Sequence, residues 1–298
     1  MKLIKILEPL AKELRLVEKE MKDQLKNISI EQSLIFLSNE YIKKRVKYLF
    51  QSTGKLLRPA LVLLSAKSVN GTGTMDYNSL IKLATVVEFI HSSSLIHDDI
   101  IDETDYRREQ ISLNKQFGNQ AAVLIGDIIN SQFMSILATL ENVSYKTRIM
   151  ILELFSKTIK KMCLGEIYEQ RIKRNKINPT MNEYLEIIKN KTASLMSASC
   201  LCGAYMGGAN KKECEVLKKY GLYFGLAFQI ADDCHDNDSI YNSKEDLIEK
   251  AEEYVRQAET EINKLNHMFI KQNLLHLNKY IIDTAKKSAA LAKENTSV

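Results

Sequence analysis

Apolar residues recur at three- and four-residue spacing over most of the chain, the period of a helix with one buried face. That pattern predicts helices over 4–27, 32–51, 58–69, 77–103, 119–141, 145–174, 181–206, 211–235, 243–266 and 271–295. At the start, Leu3, Ile6, Leu7, Leu10, Leu14 and Leu16 keep helical spacing with charges between them, which predicts an amphipathic helix rather than a secretory signal. Loops are expected at Asn70-Gly71-Thr72-Gly73 and Gly207-Gly208-Ala209-Asn210. Asn178-Pro179 ends one helix, and Thr180 with Glu183 spells a capping box for the next. The most apolar stretch, 121–140, carries Asp127, Asn130, Ser131 and Gln132, so it is expected to be buried in protein and not to cross a bilayer.

Composition narrows this to a fold class. With 11 Gly, 3 Pro and no Trp in 298 residues, the chain lacks the turn residues of a many-stranded sheet. No linker rich in Pro or Ser divides it, and no solenoid repeat appears. One all-α domain over 1–298, a bundle of about ten helices, is expected. Net charge is only +5, and no basic stripe interleaved with aromatics is present, which argues against nucleic acid. Five cysteines without a CxxC pair fit reduced thiols and a cytoplasmic setting.

Two segments carry chemistry. Residues 97–102 read His-Asp-Asp-Ile-Ile-Asp, and residues 232–236 read Asp-Asp-Cys-His-Asp. Both have the form DDxxD. On a helix, Asp98 and Asp102 share a face, as do Asp232 and Asp236, with Asp99 and Asp233 beside them. Like charges at this spacing destabilise a helix. Each cluster also follows a strongly apolar run, so a cation should compensate it. Magnesium suits aspartate and phosphate oxygens, whereas zinc does not, and the EF-hand spacing is absent. A solvated helix end would explain one such motif but explains two poorly. Basic groups accompany the acids: Lys55 and Arg58 in Gly54-Lys55-Leu56-Leu57-Arg58-Pro59, Arg107-Arg108, and Lys191-Thr192. Together they point to diphosphate sites.

In this order the motifs resemble those of the trans-isoprenyl diphosphate synthases, the polyprenyl synthetase family. The resemblance runs from about Gly54 to Asp236. It takes in Glu88 to His91, Phe117-Gly118, Gly126-Asp127, Gly165-Glu166, and Phe228-Gln229-Ile230-Ala231 ahead of the second cluster. It implies antiparallel helices around a central cavity, a homodimer, and extension of an allylic diphosphate by isopentenyl diphosphate. By position, Asp98, Asp99 and Asp102 would bind Mg²⁺ against the allylic diphosphate, and Asp232, Asp233 and Asp236 would do so from the opposite wall. Lys55, Arg58, His91 and Arg108 would hold isopentenyl diphosphate. Arg107, Lys191, Thr192 and Gln229 would contact the allylic substrate. In similar enzymes, aromatics just before the first motif stop chain growth. Here Ser92-Ser93-Ser94 stand there, so Ser93 and Ser94 are expected to face the cavity and a long product is expected, unless a deeper residue such as Phe133 sets the floor.

The chain departs from the resemblance in two places. After Asp236 the family continues with GKxxGxD and a GKxTLP-like stretch, and here 237–248 contains neither. The open readings are a naturally shortened active chain, a stretch lost from the sequence as read, or a low-activity partner subunit. Glu109 also stands where Gly commonly follows the paired arginines. A class I terpene cyclase is the nearest enzymatic rival, but it would have no second diphosphate for Lys55, Arg58 and His91 to hold. A short-chain farnesyl or geranylgeranyl diphosphate synthase is the other alternative.

Overall fold

The structure, a computed structural model, describes residues 3–28, 44–45, 47–49, 54–69, 75–107, 109–236, 239–266 and 268–295. The loop expected at 70–73 and most of the helix expected over 32–51 lie outside the described residues. The expected all-α class is what folds. In chain order come α1 (Leu3–Leu7), α2 (Ala11–Ile28), α3 (Leu57–Lys67) and α4 (Tyr77–Ile101). A two-stranded hairpin follows, β1 (Tyr106–Arg107) and β2 (Gln110–Ile111), antiparallel with Arg107 opposite Gln110. Then come α5 (Leu113–Phe117), α6 (Asn119–Ala138), α7 (Tyr145–Asn175), α8 (Met181–Ile188) and α9 (Ser194–Met206). The chain ends with α10 (Lys211–Asp236), α11 (Lys244–Ile262) and α12 (Met268–Asn295).

Internal contacts divide the chain into two compact units. The first unit comprises Ala11–Ala60 and Asp76–Arg148. Its axis is α4, against which α2, α5 and α6 pack. Leu80, Leu83, Val87 and Phe89 of α4 are fully buried, with Val17 of α2 and Ile129 of α6. Each such side chain contributes about 1.5–3 kcal/mol by leaving water. Asp76 caps α4, its carboxylate accepting from the Ser79 amide at 3.2 Å.

The second unit comprises Met1–Leu10, Leu61–Met75 and Ile149–Val298. Its axis is α10, packed by α9, α11 and α12. Leu217, Tyr220 and Phe224 of α10 are buried, with Cys200 of α9, Leu247 of α11 and Leu277 of α12. The capping box of α8 is formed: Thr180 Oγ1 accepts from the Glu183 amide at 3.3 Å, and Glu183 Oε2 accepts from the Thr180 amide at 2.8 Å.

Three features correct the sequence reading. The helix expected over 181–206 is interrupted by a π-helical segment at Lys189–Ala193. The hairpin at 106–111 was not foreseen. Finally, α6, expected to be buried, leaves Val123, Leu124 and Met134 exposed at 41, 62 and 53%. By length and composition α4 and α6 could each cross a membrane, but most of α4 is enclosed by protein.

Candidate functional site

The first acidic cluster ends α4. Asp102 caps the helix, its amide donating to the Asp98 carbonyl at 2.8 Å. Asp98 is half-buried, Asp99 buried and Asp102 exposed. A helix C-terminus already presents partial negative charge from its last carbonyls, so carboxylates there oppose the helix dipole. The fold partly compensates. Arg107, brought back by the hairpin, donates from Nε to Asp99 Oδ1 at 2.6 Å. Asn114 Nδ2 ties the loop down by donating to the Asp99 carbonyl at 3.1 Å. Glu109 in the hairpin adopts φ 63°, the left-handed region in which Gly costs nothing and other residues pay. That explains why Gly is usual at this place.

Other predicted residues gather in the same unit. Lys55 is exposed, and Arg58 is half-buried in the first turn of α3. Between them Leu56 is buried at φ 47°, a strained turn for a branched side chain. His91 is half-buried on α4. A cavity of about 60 Å³ is lined by Gly54, Leu56, Glu88, Ser92, Asp99 and Arg107, among others. Arg108 lies outside the described residues. The serines are arranged differently from expectation. Ser92 lines this cavity, whereas Ser93 is buried and donates to the Gly126 carbonyl of α6 at 3.1 Å. Ser94 Oγ turns back to the His91 carbonyl at 2.8 Å. Gly126 also leaves room for the His97 ring, since a Cβ there would lie 2.3 Å from His97 Nε2.

The second cluster ends α10. Asp232 is exposed and Asp233 half-buried. The side chain of Asp236 lies outside the described set. Asp233 is gripped from two sides: the Tyr184 hydroxyl donates to Oδ2 at 2.6 Å, and Gln229 Nε2 donates to Oδ1 at 2.7 Å. Gln229 Oε1 in turn accepts from Thr192 Oγ1 at 2.8 Å. Burial pushes the Asp233 carboxyl up to about 7, the hydrogen bonds from Tyr184 and Gln229 pulling against it and the charges of Glu169 and Asp232 adding to it. Burial, followed by the Asp233 charge, also holds the Tyr184 phenol well above its ordinary range.

Lys191 sits on the π segment, with Nζ 2.7 Å from Glu166 Oε2 and 2.7 Å from Glu169 Oε2 of α7. Burial alone would lower its pKa; the two carboxylates outweigh burial and raise it. Burial likewise works to raise Glu169, but Lys191 and Lys173 prevail and hold it below the usual range. The close approach depends on Gly165, where a Cβ would meet the Lys191 backbone nitrogen at 2.5 Å. Thr192, Gln229 and Asp233 are therefore joined in one chain, as predicted residues, with Lys191 beside them on the π segment. The sequence reading missed Tyr184 and Glu169. Tyr184 sits on the buried face of α8 and reads as an ordinary core aromatic. Glu169 shares a helix face with Glu166, the only available signal.

Among the described residues, no three His, Cys, Asp or Glu side chains close around a point that a cation could fill. Magnesium does not need such a cage. It keeps several waters and takes one or two carboxylates plus phosphate oxygens. An all-aspartate set of hard donors fits that habit.

The polyprenyl synthetase family model matches residues 39–252. A geranylgeranyl diphosphate synthase of Methanosarcina mazei is 34% identical over 220 residues, 72% of this chain and 66% of that protein. An octaprenyl diphosphate synthase of Escherichia coli is 34% identical over 189 residues, 63% of this chain and 55% of that protein. The matched chain thus spans between about half and two thirds of the length of these curated relatives. Among solved structures, a polyprenyl synthase from Caulobacter crescentus, complexed with calcium and isoprenyl diphosphate, superposes with a TM-score of 0.78 at 21% identity, covering 94% of this chain and 97% of that one. The chain belongs to the polyprenyl synthetase family.

Proposed function

We propose that this chain is a magnesium-dependent prenyltransferase that condenses isopentenyl diphosphate with an allylic diphosphate to make a trans-polyprenyl diphosphate. The observation that carries the reading is the placement of both DDxxD clusters on the last turns of apolar helices, α4 and α10, where helix carbonyls add to their negative charge. Carboxylates at such ends oppose the helix dipole, and bound cations offset that cost. The family membership supports the same reading, as does the divalent ion with isoprenyl diphosphate in the Caulobacter relative.

In this reading Asp98, Asp99 and Asp102, and Asp232, Asp233 and Asp236, hold magnesium. Bound there, magnesium would supply charge stabilisation for the departing diphosphate. Lys55, Arg58, His91 and Arg108 hold isopentenyl diphosphate. Arg107, Lys191, Thr192 and Gln229 meet the allylic substrate. The carbon–oxygen bond to the allylic diphosphate breaks, and charge growing on the leaving group is met by fixed cationic side chains. The hydrogen bond from Arg107 to Asp99 and the ion pairs of Lys191 set those cations before substrate arrives, which lowers the cost of reorganising them. Apolar walls keep water from the allylic cation. The double bond of isopentenyl diphosphate attacks the cation, and the released diphosphate takes the proton lost from the new chain.

We further read the product as long, pentaprenyl or beyond, as for a quinone side-chain precursor. Ser92, a small side chain lining the cavity beside Asp99, supports this, with no Phe, Tyr or Trp between Ile90 and Asp98. Relatives named for short and long products match at equal identity, so the support for a long product is the small side chain of Ser92 in the cavity. A homodimer is proposed on the exposed apolar positions of α6, where Val123 and Met134 lie three turns apart on one face.

The test is to incubate the protein with Mg²⁺, farnesyl diphosphate and labelled isopentenyl diphosphate, then chromatograph the dephosphorylated products. A ladder ending at a long chain is expected, and Ser92→Phe, which fills the cavity, should shorten it. Cyclic hydrocarbon without label would make the chain a cyclase. Product formed only when a second protein is added would favour the partner-subunit reading, which the missing GKxxGxD segment supports.

A further inference from the structure

We propose that Tyr184 is a positioning residue for the Asp233 carboxylate, and through it for a magnesium-bound diphosphate at the end of α10; this rests on the prenyltransferase reading. Tyr184 is fully buried among Ile188, Leu226, Ile230 and Leu247. A phenylalanine would fill that slot equally well. A hydroxyl in such surroundings is costly unless it is bonded, and its partner is Asp233 Oδ2 at 2.6 Å, the short distance of a bond to a charged acceptor. The other oxygen accepts from Gln229, which is itself fixed by Thr192. One carboxylate therefore locks together α8, the π segment and the last turn of α10. A carboxylate offers about four lone-pair sites. With one neutral donor on each oxygen, Asp233 keeps a lone pair on each for an ion, in a rotamer that need not change when the ion arrives.

The connection from α10 to α11 adds to this grip. The ring of Tyr241 packs against that of Tyr184, with centroids 5.9 Å apart and planes tilted by 34°. Its hydroxyl points elsewhere, donating to Asp246 Oδ2 at 3.0 Å. The packing holds the Tyr184 ring while its hydroxyl donates to Asp233.

The experiment compares Tyr184→Phe, Asp233→Asn, their double variant, and Tyr241→Phe as a control that keeps the ring. Calorimetry measures binding of inorganic pyrophosphate at saturating Mg²⁺, and elongation kinetics separate kcat from KM. Tyr184→Phe should weaken pyrophosphate about 10-fold, the loss of one hydrogen bond to a charged group. It should lower kcat by a similar factor while KM for isopentenyl diphosphate stays constant. In the Asp233→Asn background the same change should cost less than about 2-fold, because coupled groups are non-additive. Tyr241→Phe should match wild type. Unchanged pyrophosphate binding in Tyr184→Phe, or an equal loss in both backgrounds, would overturn the proposal. If the wild type elongates nothing yet Tyr184→Phe still loses pyrophosphate, the prenyltransferase reading fails and the positioning role stands.

Discussion

At the end of α4, the buried carboxylate of Asp99 meets a guanidinium, Arg107 at 2.6 Å. At the end of α10, that of Asp233 meets two neutral donors, Tyr184 at 2.6 Å and Gln229 at 2.7 Å. In the same unit, Lys191 is ion-paired with Glu166 and Glu169. The same motif is thus held by charge in one unit and by hydrogen bonds in the other. The Asp99 carboxylate is paired with a cation before any ligand binds. A carboxylate held by neutral donors in a buried place is left near its titration point, and for Asp233 that point is about 7. The comparison teaches that the DDxxD spelling specifies helix spacing but not electrostatic setting, which comes from distant residues.

If both clusters serve one reaction, Asp98→Ala and Asp232→Ala should each lower turnover by about 10³-fold, with circular dichroism unchanged; near-normal turnover in either would remove that residue from the metal set. The supporting cations should differ more. Lys191→Ala leaves two largely buried glutamates facing each other and should cost about 3 kcal/mol in urea denaturation. Arg107 is 36% exposed, so water screens the charge it leaves behind, and Arg107→Ala should cost about 1–2 kcal/mol. Equal losses would erase the contrast.

Proton linkage sharpens it further. Asp233 is raised from 3.8 to about 7, so the folded protein holds this proton more tightly than the unfolded chain. Its contribution to stability is fully present below pH 4 and is lost as pH rises through 7. Without metal, this group should cost the fold about 3 kcal/mol between pH 5 and pH 8. Asp233→Asn should flatten that part of the profile. The smallest effect belongs to the first unit's hairpin. Glu109→Gly relieves φ 63° and should gain up to about 1 kcal/mol of stability, read as a rise in melting temperature with turnover unaltered.

Much of this was legible from residue order. A three-to-four spacing of Leu, Ile and Val located the long helices, because burial of one face is a local pattern. Thr180 and Glu183 announced their own capping box, three residues apart. The acidic ends of α4 and α10 could be read for the same reason, since i and i+4 are neighbours by geometry. What escaped depends on residues far apart. Hairpin strands of two residues are too short to show alternation. The π segment at Lys189–Ala193 leaves the apolar pattern almost unbroken, and its reason lies at Gly165 on another helix. Tyr184 looked like core because its ring is core, and its hydroxyl has meaning only beside Asp233, 49 positions on. Likewise the exposed face of α6 carries the same residue types as a buried one.

The central claim is that the aspartates of each cluster bind diphosphate through magnesium. Calorimetric titration of inorganic pyrophosphate into wild type, Asp98→Ala and Asp232→Ala, each with and without Mg²⁺, tests it directly. The account predicts binding that requires the ion and that weakens at least about 10-fold when either aspartate is removed. Binding of equal strength without magnesium, or indifferent to both substitutions, would contradict it.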